Sequence, residues 1–594
     1  MLAPLRTFFL GCVLVGLGAC HRDPTRPQVV KLTKKRPPMR MEVEREPFVE
    51  GEAPAVLATL TAELERNFAK LRDEAPDRPA YFLAYDLVER EQLWLEAQAG
   101  ALLHDHIDGE RLLDVDLRVG DMQLDNSHGQ GGDYAGNGLG SGVSVSLEDE
   151  ELSLAQALWL VTEAQYRLAM DAVEEAEAGE ALRTRSDQPD HPDFSVEAPI
   201  EHFGQPATLD LAALSASWGP LLAEASRALS ARPEVLESSA IMQVTLRNHS
   251  FANSEGSRVF DGRARIRVML SATGQAEDGM YLERFHSFDV FVPEDLPSRE
   301  DLLSTAGRLV EEVLALREAP VAEPYTGPAV LEGAAAGVFF HEIFGHRLEG
   351  HRQKDDIEGQ TFTGMVGKEI LPPFLDVIDD PTISRLNGIP LNGHYFVDDE
   401  AVRARPTSLV EKGVLETFLL GRSPVMPFEQ SNGHGRREAG HQIVARQGNL
   451  VVRARHSVPE ATMREALIAE VKRQNKPYGL WFTDIQGGYT ITDRSGPQAF
   501  KVLPLMVYRV YADGRPDELV RGADIVGTPL SAFETITLAS DEPGVFNGVC
   551  GAESGWVPVS AVSPSLMLTK LEIERGAHDR TKPPLLAPPK GVQP

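Results

Sequence analysis

Apolar residues recur at helical spacing between about Ala53 and Asp73, at Leu57, Leu60, Leu64, Phe68 and Leu71, which predicts an amphipathic helix. The pattern then changes to alternation. Leu113, Val115, Leu117 and Val119 share one face of a strand, and Tyr81 to Leu124 reads as several strands. From Asp149 to about Leu182 the helical period returns, with acidic residues expected on the exposed side. Leu209 to Leu229 predicts helix in two pieces divided at Gly219-Pro220, because proline has no N–H to donate and clashes with the preceding turn. Strands across Ala240 to Val292 follow, including Gln243–Arg247 and Ala264–Met269, and then a helix over Asp301 to Leu316. Residues 51–320 are therefore expected to form an α/β domain with an antiparallel sheet.

Beyond residue 320 the pattern breaks into short β runs separated by Gly, Pro and Asp turns: Gly393 to Val397, Val414 to Leu420, Asn449 to Val452, Trp481 to Asp484 and Val502 to Val510. One helix, Glu460 to Gln474, interrupts them. A small-residue run, Gly333-Ala334-Ala335-Ala336-Gly337, opens a further helix that can pack closely against its neighbours. The expected class is α+β, with a β-rich domain at 321–580 built around that helix. The glycine-rich stretch Gly129 to Gly142 lacks a Gly-Lys-Ser/Thr ending, so it reads as a loop and not a phosphate cradle. Arg183 to Pro199 reads as a connector. Residues 20–50, rich in Pro, Lys and Arg, are expected to be a tether, and 581–594 a disordered tail.

Charge narrows the partners. With 58 Lys+Arg against 89 Asp+Glu the net charge is −31, which repels nucleic acid and anionic lipid surfaces. The first residues form a targeting segment, with Arg6 ahead of an apolar run from Phe8 to Leu17 too short to span a bilayer. Leu17-Gly18-Ala19-Cys20 resembles the bacterial lipobox, which implies a signal peptide at 1–19 and acylation of Cys20. The body is then expected in the cell envelope, outside the cytoplasm and held by a lipid anchor alone. His21 in place of an aspartate points to the outer membrane. Of three cysteines, Cys12 leaves with the signal and Cys20 is lipidated, so Cys550 remains alone and no intrachain disulfide is possible.

The chemistry is concentrated in His341-Glu342-Ile343-Phe344-Gly345-His346. Two imidazoles that can ligate Zn2+ bracket a carboxylate that can take a proton from the attacking water. In the usual HExxH form the ligands share one helical face; here the spacing is HExxxH. At ~100° per residue the second histidine lies roughly 140° from the first, so both reach one metal only if the helix breaks. Gly345 is the expected break. A catalytic zinc site needs a third protein ligand, and Cys550, between glycines in Asn547-Gly548-Val549-Cys550-Gly551, is the natural candidate, with Glu349 as the lesser one. Arg436 and Arg437, beside flexible glycines, could support a developing oxyanion or grip a peptide carboxylate. Gly487-Gly488-Tyr489 could let a peptide backbone approach and pair as an added strand. His104-Asp105-His106 lacks a third ligand and reads as exposed polar residues in a turn.

HExxxH, the distal Gly-Val-Cys-Gly, Asn432–Glu438 and Val520–Gly527 together resemble the TldD/PmbA family of metallopeptidases. Asn253-Ser254-Glu255-Gly256 is a fainter match. The resemblance implies a zinc peptidase with an N-terminal α/β domain and a barrel-like C-terminal domain. It also implies a homodimer, or a heterodimer with a related subunit, that admits short or unfolded peptides. His341, His346 and Cys550 would be the metal ligands and Glu342 the base, as in the active type of subunit. Two features depart from the family pattern: the lipoprotein signal, and His351 where an acidic residue is usual. The alternatives are a silent partner or peptide-binding lipoprotein of the same fold, and a hydrolase using Cys550 as nucleophile.

Overall fold

The computed structural model describes residues 38–128, 142–182, 191–354, 361–490 and 500–576. Cys20, the Gly129–Gly142 loop up to residue 141, and the 581–594 tail lie outside them.

The first half is one antiparallel sheet covered by helices. Helix α1 (Ala55–Arg72) precedes a long hairpin, β1 (Ala80–Gln98) and β2 (Ala101–Val119), and α2 (Glu151–Leu182) returns over it. After α3 (Leu211–Leu229) come β3 (Val235–Asn253), β4 (Arg258–Gln275) and β5 (Tyr281–Val290), then α4 (Arg299–Glu318). The strands lie in the order β2-β1-β3-β4-β5, every neighbour antiparallel, with Leu87 opposite Leu113 and Leu93 opposite Val244. Because side chains alternate along a strand, β1 sorts its residues between two faces. Leu83, Tyr85 and Leu87 pack under α1 and α2, and Leu93 and Leu95 pack under α3 and α4. Phe82, Ala84 and Asp86 face the other way, toward the second half.

The second half carries a closed barrel. Strands β6 (Tyr325–Leu331), β8 (Tyr478–Thr490), β9 (Phe500–Tyr511), β10 (Ala523–Gly527) and β12 (Gly555–Arg575) pair in a ring, since β6 bonds to both β8 and β12. Helix α5 (Gly333–Ile343) follows β6 directly. Strand β7 (Asn449–Ala454) runs parallel to β12, and β11 (Ile536–Ala552) forms a hairpin with it. The α+β class with a β-rich, barrel-like second part is as expected.

Four local expectations are corrected. Helix α3 is continuous through Pro220, because Trp218 and Leu222 are buried on the sheet and hold both sides of the proline in place. The exposed side of α2 begins apolar, at Leu152, Trp159 and Leu160, before its acidic second half. Gly393 to Val397 forms turns and not a strand, and only Val414–Leu415 of its neighbour is β. The tether ends earlier than residue 50: Met39 is buried in the barrel core, Val43 pairs with Leu386, and Gly51 N–H donates to Phe203 O at 2.7 Å. Of the connector, residues 191–199 are wedged between the halves, with Phe194 in a core shared with Phe82 and Val397.

Candidate metal centre

Close packing fixes α5. A β-carbon added to Gly333 would fall 2.3 Å from Gly544 N, and one added to Gly337 would fall 2.8 Å from Ala561 O. The small-residue run therefore lets the helix lie directly on β11 and β12. The helix stops at Ile343, and the chain turns through Phe344 into a 3-10 turn at Gly345–Leu348. This change of winding cancels the rotation a continuous helix would impose, and the His341 and His346 ring centroids come to 5.0 Å. Gly345 is needed for a reason the sequence hides. An added β-carbon would overlap Gln447 Oε1 at 1.8 Å, and Gln447 Nε2 donates to His341 O at 3.4 Å.

Cys550 reaches this point from the far end of the chain. It lies near the tip of the β11–β12 hairpin, opposite Val557, and its Sγ is 3.3 Å from His346 Nε2. One donor atom from each of His341, His346 and Cys550 lies within 4.8 Å of the others, and all three residues are buried. His341 Nδ1 is buried with no hydrogen-bond partner. Two imidazoles and a thiol, with a buried nitrogen left over, fit a borderline-soft divalent ion. Glu342, half-buried, follows the first ligand on α5.

The electrostatics prepare the donors. Burial alone would raise the Cys550 thiol, but the imidazoles of His346 and His341 hold it well below its ordinary value. His346 is held well above its ordinary value against burial, by the Cys550 thiolate and Glu349. Glu349 is not on the metal side. Its Oε2 sits 3.2 Å from His346 Nδ1, the nitrogen facing away from Cys550, and Arg352 and Arg446 donate to its two oxygens at 3.0 and 3.2 Å. Glu349 therefore orients His346 and is spent as a ligand candidate.

The expected substrate contacts divide. Gly488 does lie beside the base: a β-carbon there would be 3.1 Å from Glu342 Cγ. Strand β8 pairs β9 along its length but β6 only at Leu480–Phe482, so among the described residues its other edge is open where it passes Glu342. The two arginines are corrected. Arg437 is held by Asp86 at 2.7 Å and Asp114 at 3.4 Å on the first-half sheet. Arg436 donates to Gln447 O at 2.6 Å and lies over the Tyr395 ring. Both guanidinium groups are buried and engaged, so neither is free to grip a carboxylate. His104 and His106 are exposed as expected, but they lie in strand β2 and not in a turn. The residues sequence reasoning missed are Arg446, Arg352 and Glu553, which are ordinary charged residues until the fold brings them together.

The fold and the donor set define a class: an α+β protein with a candidate His₂Cys metal centre beside a small β-barrel. Comparison with known proteins makes it specific. Residues 324–575 match the PmbA/TldA metallopeptidase C-terminal domain. A metalloprotease TldD homolog from Haemophilus influenzae is 28% identical over 250 residues, 41% of this chain and 48% of that protein. A metalloprotease from Methanothermobacter thermautotrophicus is 27% identical over 54% of this chain and 65% of its own length. A zinc metalloprotease TldD homolog from Saccharolobus solfataricus is 25% identical over 41% of this chain and 51% of its own length. In each case the matched stretch spans less than two-thirds of the relative. The structure of TldE from Thermococcus kodakarensis superposes with a TM-score of 0.56 at 14% identity, covering 87% of this chain and all of that one. Over residues 324–575 the chain is thus similar to the TldD/PmbA metallopeptidases, and its fold is similar to that of TldE.

Proposed function

We propose that the chain is a zinc-dependent peptidase acting on short or unfolded peptides. The observation that carries this reading is the convergence of the His341, His346 and Cys550 donor atoms within 4.8 Å, with Glu342 next to the first of them. The names of the metalloprotease relatives support it. His341, His346 and Cys550 would hold the ion, which when bound supplies a Lewis acid that polarises the scissile carbonyl and acidifies water. Glu349 keeps His346 presented through Nε2. Glu342 takes the proton of the attacking water and delivers it to the leaving amine nitrogen. The open edge of β8 beside Glu342 offers a peptide backbone hydrogen bonds in extended form, and Gly488 leaves room for it.

The chain would work with a second, related subunit and be lipid-anchored in the cell envelope through Cys20. The exposed apolar side chains of Leu147, Leu152, Trp159 and Leu160 support a covered surface on the first half. Metal analysis of the purified protein should return about one zinc per chain, lost in Cys550→Ser. Glu342→Gln should keep the zinc and lose peptide hydrolysis by ~10²–10⁴-fold. Zinc binding without turnover on any peptide library would favour a silent subunit. Hydrolysis that survives a chelator would favour Cys550 as a nucleophile.

A further inference from the structure

The two histidines are close in sequence and share one helix end, but Cys550 arrives on a separate hairpin more than two hundred residues away. A ligand so placed is only as well positioned as the ties on its hairpin. One set of ties is made to the backbone. Arg446, fully buried, donates to Cys550 O at 3.0 Å and to Ser554 Oγ at 2.7 Å, and on the outer side Glu438 N–H donates to Ser554 O at 2.9 Å. The other is a charged contact at the hairpin tip. Glu553 Oε1 pairs with His351 Nε2, and Glu553 Oε2 accepts from Arg352 Nη2 at 3.0 Å. His351 and Arg352 belong to the 3-10 turn Gly350–Gln353 that continues directly from the histidine segment. Arg352 then donates through Nε to Glu349, the carboxylate that orients His346.

The tip of the cysteine hairpin and the orienting carboxylate of the histidine ligand are thus joined by one guanidinium. We propose that His351, Arg352 and Glu553 form a clasp that closes the Cys550 hairpin onto the two histidines and sets how long the centre retains its metal. This inference rests on the metal-binding reading above. The clasp residues are positioning residues: they touch no donor atom, and act through Cys550 and, by way of Glu349, through His346. The arrangement also accounts for His351. A basic side chain is required there because its partner across the gap is a carboxylate, held far below its ordinary value by His351 and Arg352 against its own burial. The pair lies at the edge of the site, with 17% and 18% of the side chains exposed, whereas Arg446 is sealed at 1%. It can therefore open while the backbone ties persist.

The test compares the full-length wild-type protein with Glu553→Ala, Glu553→Gln and His351→Gln, by two readouts independent of peptide hydrolysis. The first is the rate at which bound Zn2+ passes to a chromophoric chelator. The second is the rate at which iodoacetamide alkylates Cys550 in the metal-free protein. Loss of an outer partner of a metal site costs ~10–100-fold in affinity, so zinc release should quicken by about that factor in Glu553→Ala. Glu553→Gln should show less, and His351→Gln the least, since its amide can still donate to Glu553. Alkylation should accelerate in the same order. Circular dichroism melting separates a loosened clasp from a general loss of fold, and the remaining ties at Arg446 and Glu438 predict that the variants stay folded. Wild-type rates in both readouts for a folded Glu553→Ala would overturn the clasp. If the wild-type protein itself binds no zinc, the metal-binding reading fails, and the alkylation rates alone still decide whether the clasp holds the hairpin.

Discussion

Two groups of enclosed arginines invite comparison, one at the seam between the molecule's halves and one around the candidate metal centre. At the seam, Arg422 forks onto Glu255 at 2.7 and 2.8 Å and lies 3.9 Å from the Phe194 ring centre, and Arg437 joins Asp86 and Asp114. At the centre, Arg446 and Arg352 grip Glu349. In both places an enclosed guanidinium holds a carboxylate, although Glu255 keeps 20% of its side chain exposed and Glu349 none. They differ in what the carboxylate does next. Glu255 sits in the turn between β3 and β4, and its pair fastens one half to the other, while Glu349 passes its orientation to His346. A buried ion pair is structural or functional according to its third partner.

The largest effect should come from breaking the seam. Arg422→Met leaves the half-buried Glu255 without its partner and the buried Ser195 O without its donor, which together cost about 3 kcal/mol. Thermal melting should fall steeply, while the chains that remain folded keep their zinc. A variant that melts normally but loses zinc would mean the seam and the centre are one unit. Next in size is Gly345→Ala, which drives a methyl group into Gln447. Overpacking of this kind costs about 1–3 kcal/mol, and here the helix break moves as well, so zinc should be lost together with stability.

Glu349→Gln tests the other side of the comparison. It keeps the shape and removes the charge that orients His346, so zinc affinity should fall by ~10–100-fold, a change of roughly 1.4–2.7 kcal/mol in binding. Competition against a zinc chelator reads this directly. A larger loss of melting temperature than of zinc affinity would make Glu349 a seam-type residue.

The contrast also explains what could be read from the sequence. Elements with their own period were legible: α1 from Leu57, Leu60 and Leu64, β2 from Leu113 to Val119, and the helix break from the arithmetic of HExxxH and Gly345. The resemblance to a known family pointed to Cys550, and the fold does bring its thiol beside the two histidines. The arginines were not legible, because adjacency to glycine says nothing about a partner 350 residues away. Arg437 looked free until Asp86 claimed it, and Arg446 gave no signal at all. Residues 38–50 had a tether's composition, and the burial of Met39 and the pairing of Val43 with Leu386 show that they are held. Pro220 misled because a local rule for helices was overridden by the sheet beneath it.

The smallest predicted effect lies at the seam and depends on pH. Glu400 Oε2 accepts from the Arg422 backbone N–H at 2.6 Å, and the side chain is largely but not fully withdrawn from solvent. Burial is the main cause that pushes its carboxyl up to about 7, with Asp116 adding to the rise and Arg422 and Arg118 opposing it. Its neighbour Asp398 is also raised well above its ordinary value, by burial and by Glu400. A carboxyl raised in the folded state favours folding while it stays protonated. That contribution is complete below the unfolded value near 4.5 and is lost as pH rises through about 7. Glu400→Gln should therefore match the wild type below pH ~4.5 and be the more stable of the two by pH ~8. Denaturant midpoints measured across that range would show the gap opening with pH. A difference independent of pH would mean that Glu400 is ionised throughout and belongs, with Glu255, among the paired carboxylates that fasten the seam.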